Sequence, residues 1–287
     1  MERTEARLDN IRAVEPVLSA LRTVSRGSMQ TARKRGAAVE RYSRELLTLA
    51  AWLPEGVTPS PSDTLPASER TLLVALGSDR GLCGRFNHDI ADELETQRRR
   101  LDERGVPYEV WSLGLRLNRT LERLDVGVAY AGRFARRSLP AFDTADELTA
   151  RTLAGMDAGD FSDVVLILNR ERRAGRYRTV VERLLPAEPV STSGIAVEDP
   201  WPSPIIETDS AGLLDRILAQ ASAVRLFGAM LASSAAEHAA RYHLLEDAAQ
   251  NTERLAGELE MAVQLARQQA ITAEMQELAA GSGLIKP

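Results

Sequence analysis

Between an apolar run and a helical pattern lies Ser78-Asp79-Arg80-Gly81-Leu82-Cys83-Gly84: a hydroxyl, a carboxylate, a guanidinium, a thiol and two glycines in seven residues. In α/β proteins a loop after a strand and ahead of a helix is a phosphate-binding position, because backbone N–H groups and the helix dipole favour an anion there. The residues match neither G-x-G-x-x-G nor the P-loop pattern, and no lysine is present for a terminal phosphate. The competing reading is a tight strand-to-helix turn whose glycines supply unusual φ angles. Cys83 at a helix start is a candidate nucleophile. His88, His238 and His243 have no triad-like context, so a buried or half-buried spectator thiol is favoured. Three histidines and one cysteine make no credible metal site. No catalytic residue, cofactor or metal is therefore assigned. Arg98-Arg99-Arg100, Arg133–Arg137 and Arg170–Arg178 are candidate anion patches, interspersed with acids and read mainly as solvated faces, some toward an acidic partner.

The elements that must position this loop alternate. Thr71–Gly77 and Asp163–Asn169 are continuous apolar runs, the pattern of strands buried on both faces. Tyr108–Leu113 and Val126–Ala131 read as further strands and Tyr177–Leu185 as an alternating one. Arg85–Arg104, Leu115–Leu124 and Thr144–Met156 read as helices, the last N-capped by Asp143. Strand–helix alternation predicts a mostly parallel sheet covered by helices, with a hairpin of the last two strands at one edge. Residues 54–69 and 186–209, rich in Pro and Ser or in Pro alone, read as links, and Glu171–Arg176 as a turn.

Two long helical patterns flank this α/β part. On the C-terminal side, Ile217, Val224, Leu231, His238, Leu245, Thr252 and Leu259 recur by sevens, and Ala221, Gly228, Ala235, Tyr242, Ala249, Ala256 and Val263 form the companion row. No proline interrupts Ser210 to Ala280, which predicts a helix roughly 100 Å long. On the N-terminal side, Leu8, Ile11, Val14, Leu18, Leu21 and Val24, then Val39, Tyr42, Leu46, Leu49 and Leu53, predict a second long helix. Pro16 should kink it and Gly27 weaken it. The economical arrangement is an antiparallel coiled coil of the two. The chain thus divides into an N-terminal coiled-coil helix (1–54), an α/β domain (70–190) and a C-terminal coiled-coil helix (209–280), the last outrunning its partner.

Composition agrees. Of 287 residues 44% are hydrophobic and only 5% aromatic, which suits helix packing. The net charge of -5 argues against a nucleic-acid partner. One cysteine permits no intramolecular disulfide. No signal peptide is expected from MERTEARLDNIR, and no apolar run near the roughly 20 residues of a bilayer span. Membrane association is expected only through partners.

GSDRGLCGRFN at 77–87, SSAAEHAAR at 233–241, AAQNTERLAGEL at 248–259 and ARQQAITAEMQEL at 266–278 together resemble the gamma subunit of F-type ATP synthases. The family carries S-D-R-G-L-C-G-x-x-N, then S-E-x-A-A-R, A-x-x-N and A-R-Q-x-x-I-T-x-E-x-x-E in the same order. The resemblance implies a Rossmann-like central domain and a coiled coil that rotates inside three alpha and three beta subunits. It further implies contact with an epsilon subunit and the membrane c-ring, no bound nucleotide, and a non-catalytic coupling role at the cytoplasmic face of a bacterial membrane. Carried over by motif, Arg267, Gln268, Thr272 and Glu274 would contact alpha/beta loops, and Ser78, Asp79, Arg80, Gly81, Leu82, Cys83 and Gly84 would lie near stalk partners. The N-terminal helix departs from the family: its K-I-T-K-A-M core is absent, Pro16 is present, and Val24 stands where Met is usual. That suggests a divergent, alternate F-type ATPase. A free coiled-coil scaffold with an α/β head and a nucleotide-binding α/β enzyme are the alternatives.

Overall fold

The structure, a computed structural model, describes residues 2–53, 57, 69–172, 176–185 and 205–281. The expected links at 54–69 and 186–209 and the centre of the 171–176 turn lie largely outside the described residues. In chain order the elements are α1 (Glu2–Ala51), β1 (Thr71–Leu76), α2 (Phe86–Glu103), β2 (Tyr108–Leu113), α3 (Leu115–Arg123), β3 (Tyr130–Gly132), α4 (Phe142–Asp157), β4 (Asp163–Glu171), β5 (Tyr177–Leu185) and α5 (Ser210–Gly281). Two compact units result: Arg26–Arg241, and Met1–Ser25 with Tyr242–Pro287.

The Arg26–Arg241 unit is built on one sheet of order β3-β2-β1-β4-β5. β1 is central and fully buried, in parallel register with β2 (Leu76↔Leu113) and β4 (Leu76↔Leu168). Its alternate side chains feed two cores. Leu72, Val74 and Leu76 pack with Leu148 of α4 and with Leu226, Ala229 and Met230 of α5. Leu73 and Ala75 pack with Ile90 and Leu94 of α2 and Leu117 and Leu121 of α3. β4 and β5 are antiparallel, the expected edge hairpin.

Two local expectations are corrected. The strand expected at Val126–Ala131 is only Tyr130–Gly132, paired with Trp111–Leu113 of β2. Val126 and Val128 instead pack as partly buried residues against the α2–α3 core. α4 begins at Phe142 after Ala141, with no side-chain cap, so Asp143 lies in its first turn rather than capping it. The Phe142 ring meets Phe227 of α5 edge-on at 5.5 Å, which fixes this end by packing instead.

The two terminal helices pair antiparallel in each unit. Within Arg26–Arg241, Leu46 clusters with Ala221 and Val224. Within the other unit, Arg22 pairs with Glu246 at 3.0 Å, Arg12 with Glu260 at 2.6 Å and Arg267 with Glu5 at 2.6 Å. Leu8 and Val263 are buried there. Pairing therefore reaches Arg267. α1 runs unbroken through Pro16 and Gly27.

The buried seam of α1 is not the stripe of its largest residues. Ile11, Leu18, Ser25, Ala32, Val39 and Leu46, stepping by seven, are buried or half-buried. Val14, Leu21 and Val24 are exposed. Small residues carry the middle of the seam and bring the backbones close, as at Gly228, where an added Cβ would lie 3.5 Å from Val39.

One window of α5 is apolar enough by composition to cross a bilayer, with a mean hydropathy of 1.3. No such run was expected from the sequence. In the fold, 61% of that window is buried inside the protein, so its apolarity is that of a core helix.

Candidate partner-contact site

The Ser78–Gly84 loop leaves the C-terminal end of β1. Ser78 is fully buried: its N–H donates to Asn87 Oδ1 at 2.9 Å, and its hydroxyl donates to Arg80 O at 2.8 Å while accepting from Asn87 Nδ2 at 2.9 Å. Asp79 collects three backbone donors. Its Oδ1 accepts from Leu115 N (2.9 Å) and Phe134 N (3.2 Å), its Oδ2 from Ala135 N (2.7 Å). A carboxylate of the chain itself thus occupies the anion niche at the start of α3.

The glycine reading is half right. Gly84 has φ +61°, but the other left-handed residue is Leu82, also at φ 61°, and not Gly81. A branched residue in that region is strained by about 1–2 kcal/mol. Leu82 is nevertheless 54% exposed, while Cys83 beside it is buried. Burial pushes the Cys83 thiol up from its ordinary range, with Ser78 opposing through a hydrogen bond, so it is a poor nucleophile at neutral pH. No cluster of His, Cys, Asp or Glu able to hold a metal occurs among the described residues.

Open α/β sheets bind ligands in the crevice beyond the carboxyl ends of their strands, where the strand order reverses. Here that point lies between β1 and β4, and α5 crosses it. Ser233 Oγ donates to Leu76 O, the last residue of β1, at 3.3 Å. One turn on, Glu237 and Arg241 form an ion pair buried on both sides. Arg241 Nε donates to Gly81 O at 3.0 Å. His238 Nε2 lies 2.9 Å from Ser138 O and its Nδ1 lies 3.1 Å from Arg241 Nη1, which fixes the neutral tautomer with its proton on Nε2. Burial pushes its pKa down to about 4, the bond to Ser138 O opposing and Arg241 assisting. Burial also pushes Glu237 up, against the pull of Arg241. The crevice a nucleotide would need is occupied by a helix.

This cluster was missed from sequence, where His238 reads as a heptad packing position. The available signal is the i, i+4 pair Glu237/Arg241 inside SSAAEHAAR, two opposite charges in a stretch otherwise too small and apolar for solvent.

A family model described as ATP synthase matches residues 1–283. The chain belongs to the ATP synthase gamma family. It is 29% identical over 283 residues to the ATP synthase gamma chain of Geobacter metallireducens, covering 98% of this chain and 96% of that protein. It is 26% identical to that of Chlorobaculum tepidum, covering 98% and 97%. Among solved structures it resembles a chain of the Euglena gracilis mitochondrial ATP synthase OSCP/F1/c-ring assembly (TM-score 0.62, 17% identity, 99% of this chain and 93% of that one). It also resembles one of the central stalk and c-ring of the Tetrahymena thermophila mitochondrial enzyme (TM-score 0.57, 21% identity, 81% and 99%). The fold of this gamma-family chain is thus that of a central-stalk subunit.

The tip residues lie in the other unit. Arg267 is engaged with Glu5. Thr272 Oγ1 donates to Gln268 O at 2.8 Å within the helix, and Gln268, Thr272 and Glu274 are all exposed. Ile271, Met275 and Leu278 are exposed as well, an apolar strip at spacings of four and three. Among the described residues nothing covers it.

Proposed function

We propose that the chain is the non-catalytic rotating shaft of an F-type ATP synthase, coupling ion translocation to ATP synthesis or hydrolysis. Residues 70–190 serve as the head, and 1–54 with 209–280 as the shaft. The observation that carries this reading is the antiparallel pairing that ends at Glu5–Arg267 while α5 continues to Gly281 with large apolar side chains in solvent. Exposed apolar strips of this kind mark interaction surfaces. The tip, with Arg267, Gln268, Thr272 and Glu274, would meet the loops of three alpha and three beta subunits. The exposed Val14, Leu21 and Val24 of α1 would meet the same sleeve.

Ser78, Asp79, Arg80, Gly81, Leu82, Cys83 and Gly84 divide by role in this reading. Leu82, Arg80 and Gly84 present outward to the epsilon subunit or the c-ring, and Ser78, Asp79 and Cys83 hold the loop. The complex sits at the cytoplasmic face of a bacterial membrane, reached through partners alone; the similar curated gamma chains are bacterial. No cofactor and no nucleic acid take part.

Co-expression with the alpha, beta and epsilon subunits tests the reading. A tagged chain should recover all three and support ATP-driven ion pumping; recovery of none would sink it. Equilibrium dialysis of the isolated chain with ATP and with NAD tests the enzyme alternative. Micromolar binding of either would contradict a crevice filled by α5.

A further inference from the structure

The turn of α5 that crosses the sheet is almost smooth. Ala232, Ser233, Ser234, Ala235, Ala236, Ala239 and Ala240 are small, so their packing offers little resistance to a helix rolling or sliding in its seat. Directional contacts must supply that resistance, and three occur within nine residues. Ser233 Oγ holds Leu76 O at the end of β1, Arg241 Nε holds Gly81 O in the loop after β1, and His238 Nε2 holds Ser138 O in the segment between β3 and α4. The acceptors are backbone carbonyls from three stretches of the head, and the donors lie within a little over two turns of one helix.

Arg241 links them: its guanidinium also pairs with Glu237 and approaches His238 Nδ1. All four side chains are nearly fully buried. A buried ion pair is a weak source of stability, since desolvation offsets its attraction, but it demands one geometry. The guanidinium fork enforces that geometry over several acceptors at once, which a lysine ammonium does not. Arg241 is also the last residue of the head-containing compact unit.

We propose that Ser233, His238 and Arg241, with Glu237, form a keyed joint that locks α5 against rotation relative to the sheet domain, so that torque passes between head and shaft. The ligand crevice of the fold serves as the socket. The proposal rests on the rotor reading above. These are positioning residues; they touch no substrate.

The test uses the complete complex reconstituted in vesicles with its alpha, beta and membrane subunits, reading ions pumped per ATP hydrolysed. R241K and H238A should leave ATP hydrolysis near the unmodified level and lower the pumping ratio by roughly three- to thirtyfold, the range for energetic coupling through such networks. H238Q, whose amide can still donate to Ser138 O, should restore most of the ratio, which a purely structural loss at position 238 would not predict. If R241K does not fold, S233A and the H238A/H238Q pair carry the same readout. Unchanged pumping ratios in H238A and S233A would overturn the joint. Failure of the unmodified chain to assemble with alpha and beta would instead overturn the rotor reading, so the two failures are distinguishable.

Discussion

Arg241 and Gly81, 160 residues apart, meet through a 3.0 Å hydrogen bond from guanidinium to carbonyl, and around that bond the C-terminal helix is fastened over the end of β1. Together with the bond from Ser233 to Leu76 O, this contact seats α5 over the carboxyl end of β1.

The fastening makes stability depend on pH. His238 ordinarily titrates near 6.5, and in the fold near 4 because it is buried. Between those values the unfolded chain binds a proton that the folded chain refuses, so the contribution is whole above about pH 6.5 and is lost as pH falls toward 4. At most about 3 kcal/mol is involved. Glu237, pushed up by burial, works in the opposite sense, strengthening the fold as pH falls through its own range. Urea unfolding at pH 7.5 and pH 5 should show a drop in the unmodified chain, and a smaller drop in H238Q. Equal drops would show that His238 is not the group involved.

Gly114 sits between β2 and α3 at φ +127°, and an added Cβ would lie 2.8 Å from the Gly77 carbonyl carbon. Neither backbone can yield without breaking the bond from Gly77 N to Leu113 O at 2.8 Å. G114A should cost about 2 kcal/mol or more in thermal or urea unfolding, combining positive-φ strain with overpacking. A loss under about 0.5 kcal/mol, the level of an ordinary surface change, would contradict the close approach.

Leu82 is strained and exposed at once. L82G removes the left-handed penalty of about 1–2 kcal/mol and adds unfolded-state entropy worth about 0.4–1 kcal/mol. The isolated chain should therefore be as stable or up to about 1 kcal/mol more stable, while its binding to the epsilon subunit weakens. Lower stability in a melting experiment would mean that Leu82 serves folding, not binding.

A stop after Ala270 removes the exposed Ile271, Met275 and Leu278, which follow the Glu5–Arg267 pair. Unfolding of the isolated chain should shift by less than about 0.5 kcal/mol. Ion pumping per ATP in the assembled complex should fall more than assembly does. Normal pumping by the truncated chain would deny the tip a coupling role.

Much of this was legible in sequence where side chains are large and patterns continuous. TLLVAL and DVVLILN announce themselves because both faces of those strands are covered. β3 did so only in part, as the tail of a strand expected at Val126–Ala131, since three residues at a sheet edge take their conformation from Trp111–Leu113 and not from their own propensity. The α1 seam was misread for a related reason: Ser25, Ala32 and Gly36 lie on it because they are small, whereas Val14, Leu21 and Val24 look like core and face solvent. The loop at 78–84 was found by its motif. Its meaning was not, because Asp79 acts through contacts with residues 36 or more positions away and Leu82 faces solvent. Arg241 was invisible to heptad counting, which weighs hydrophobicity and ignores a buried charge pair.

The most direct test of the shaft reading is single-molecule rotation. With the alpha/beta hexamer fixed to a surface and a probe on the exposed face of β5 through R178C, ATP should drive stepwise rotation in one direction, which stops when ATP is withheld. A chain that assembles with the hexamer but shows only unbiased thermal motion under ATP would contradict it.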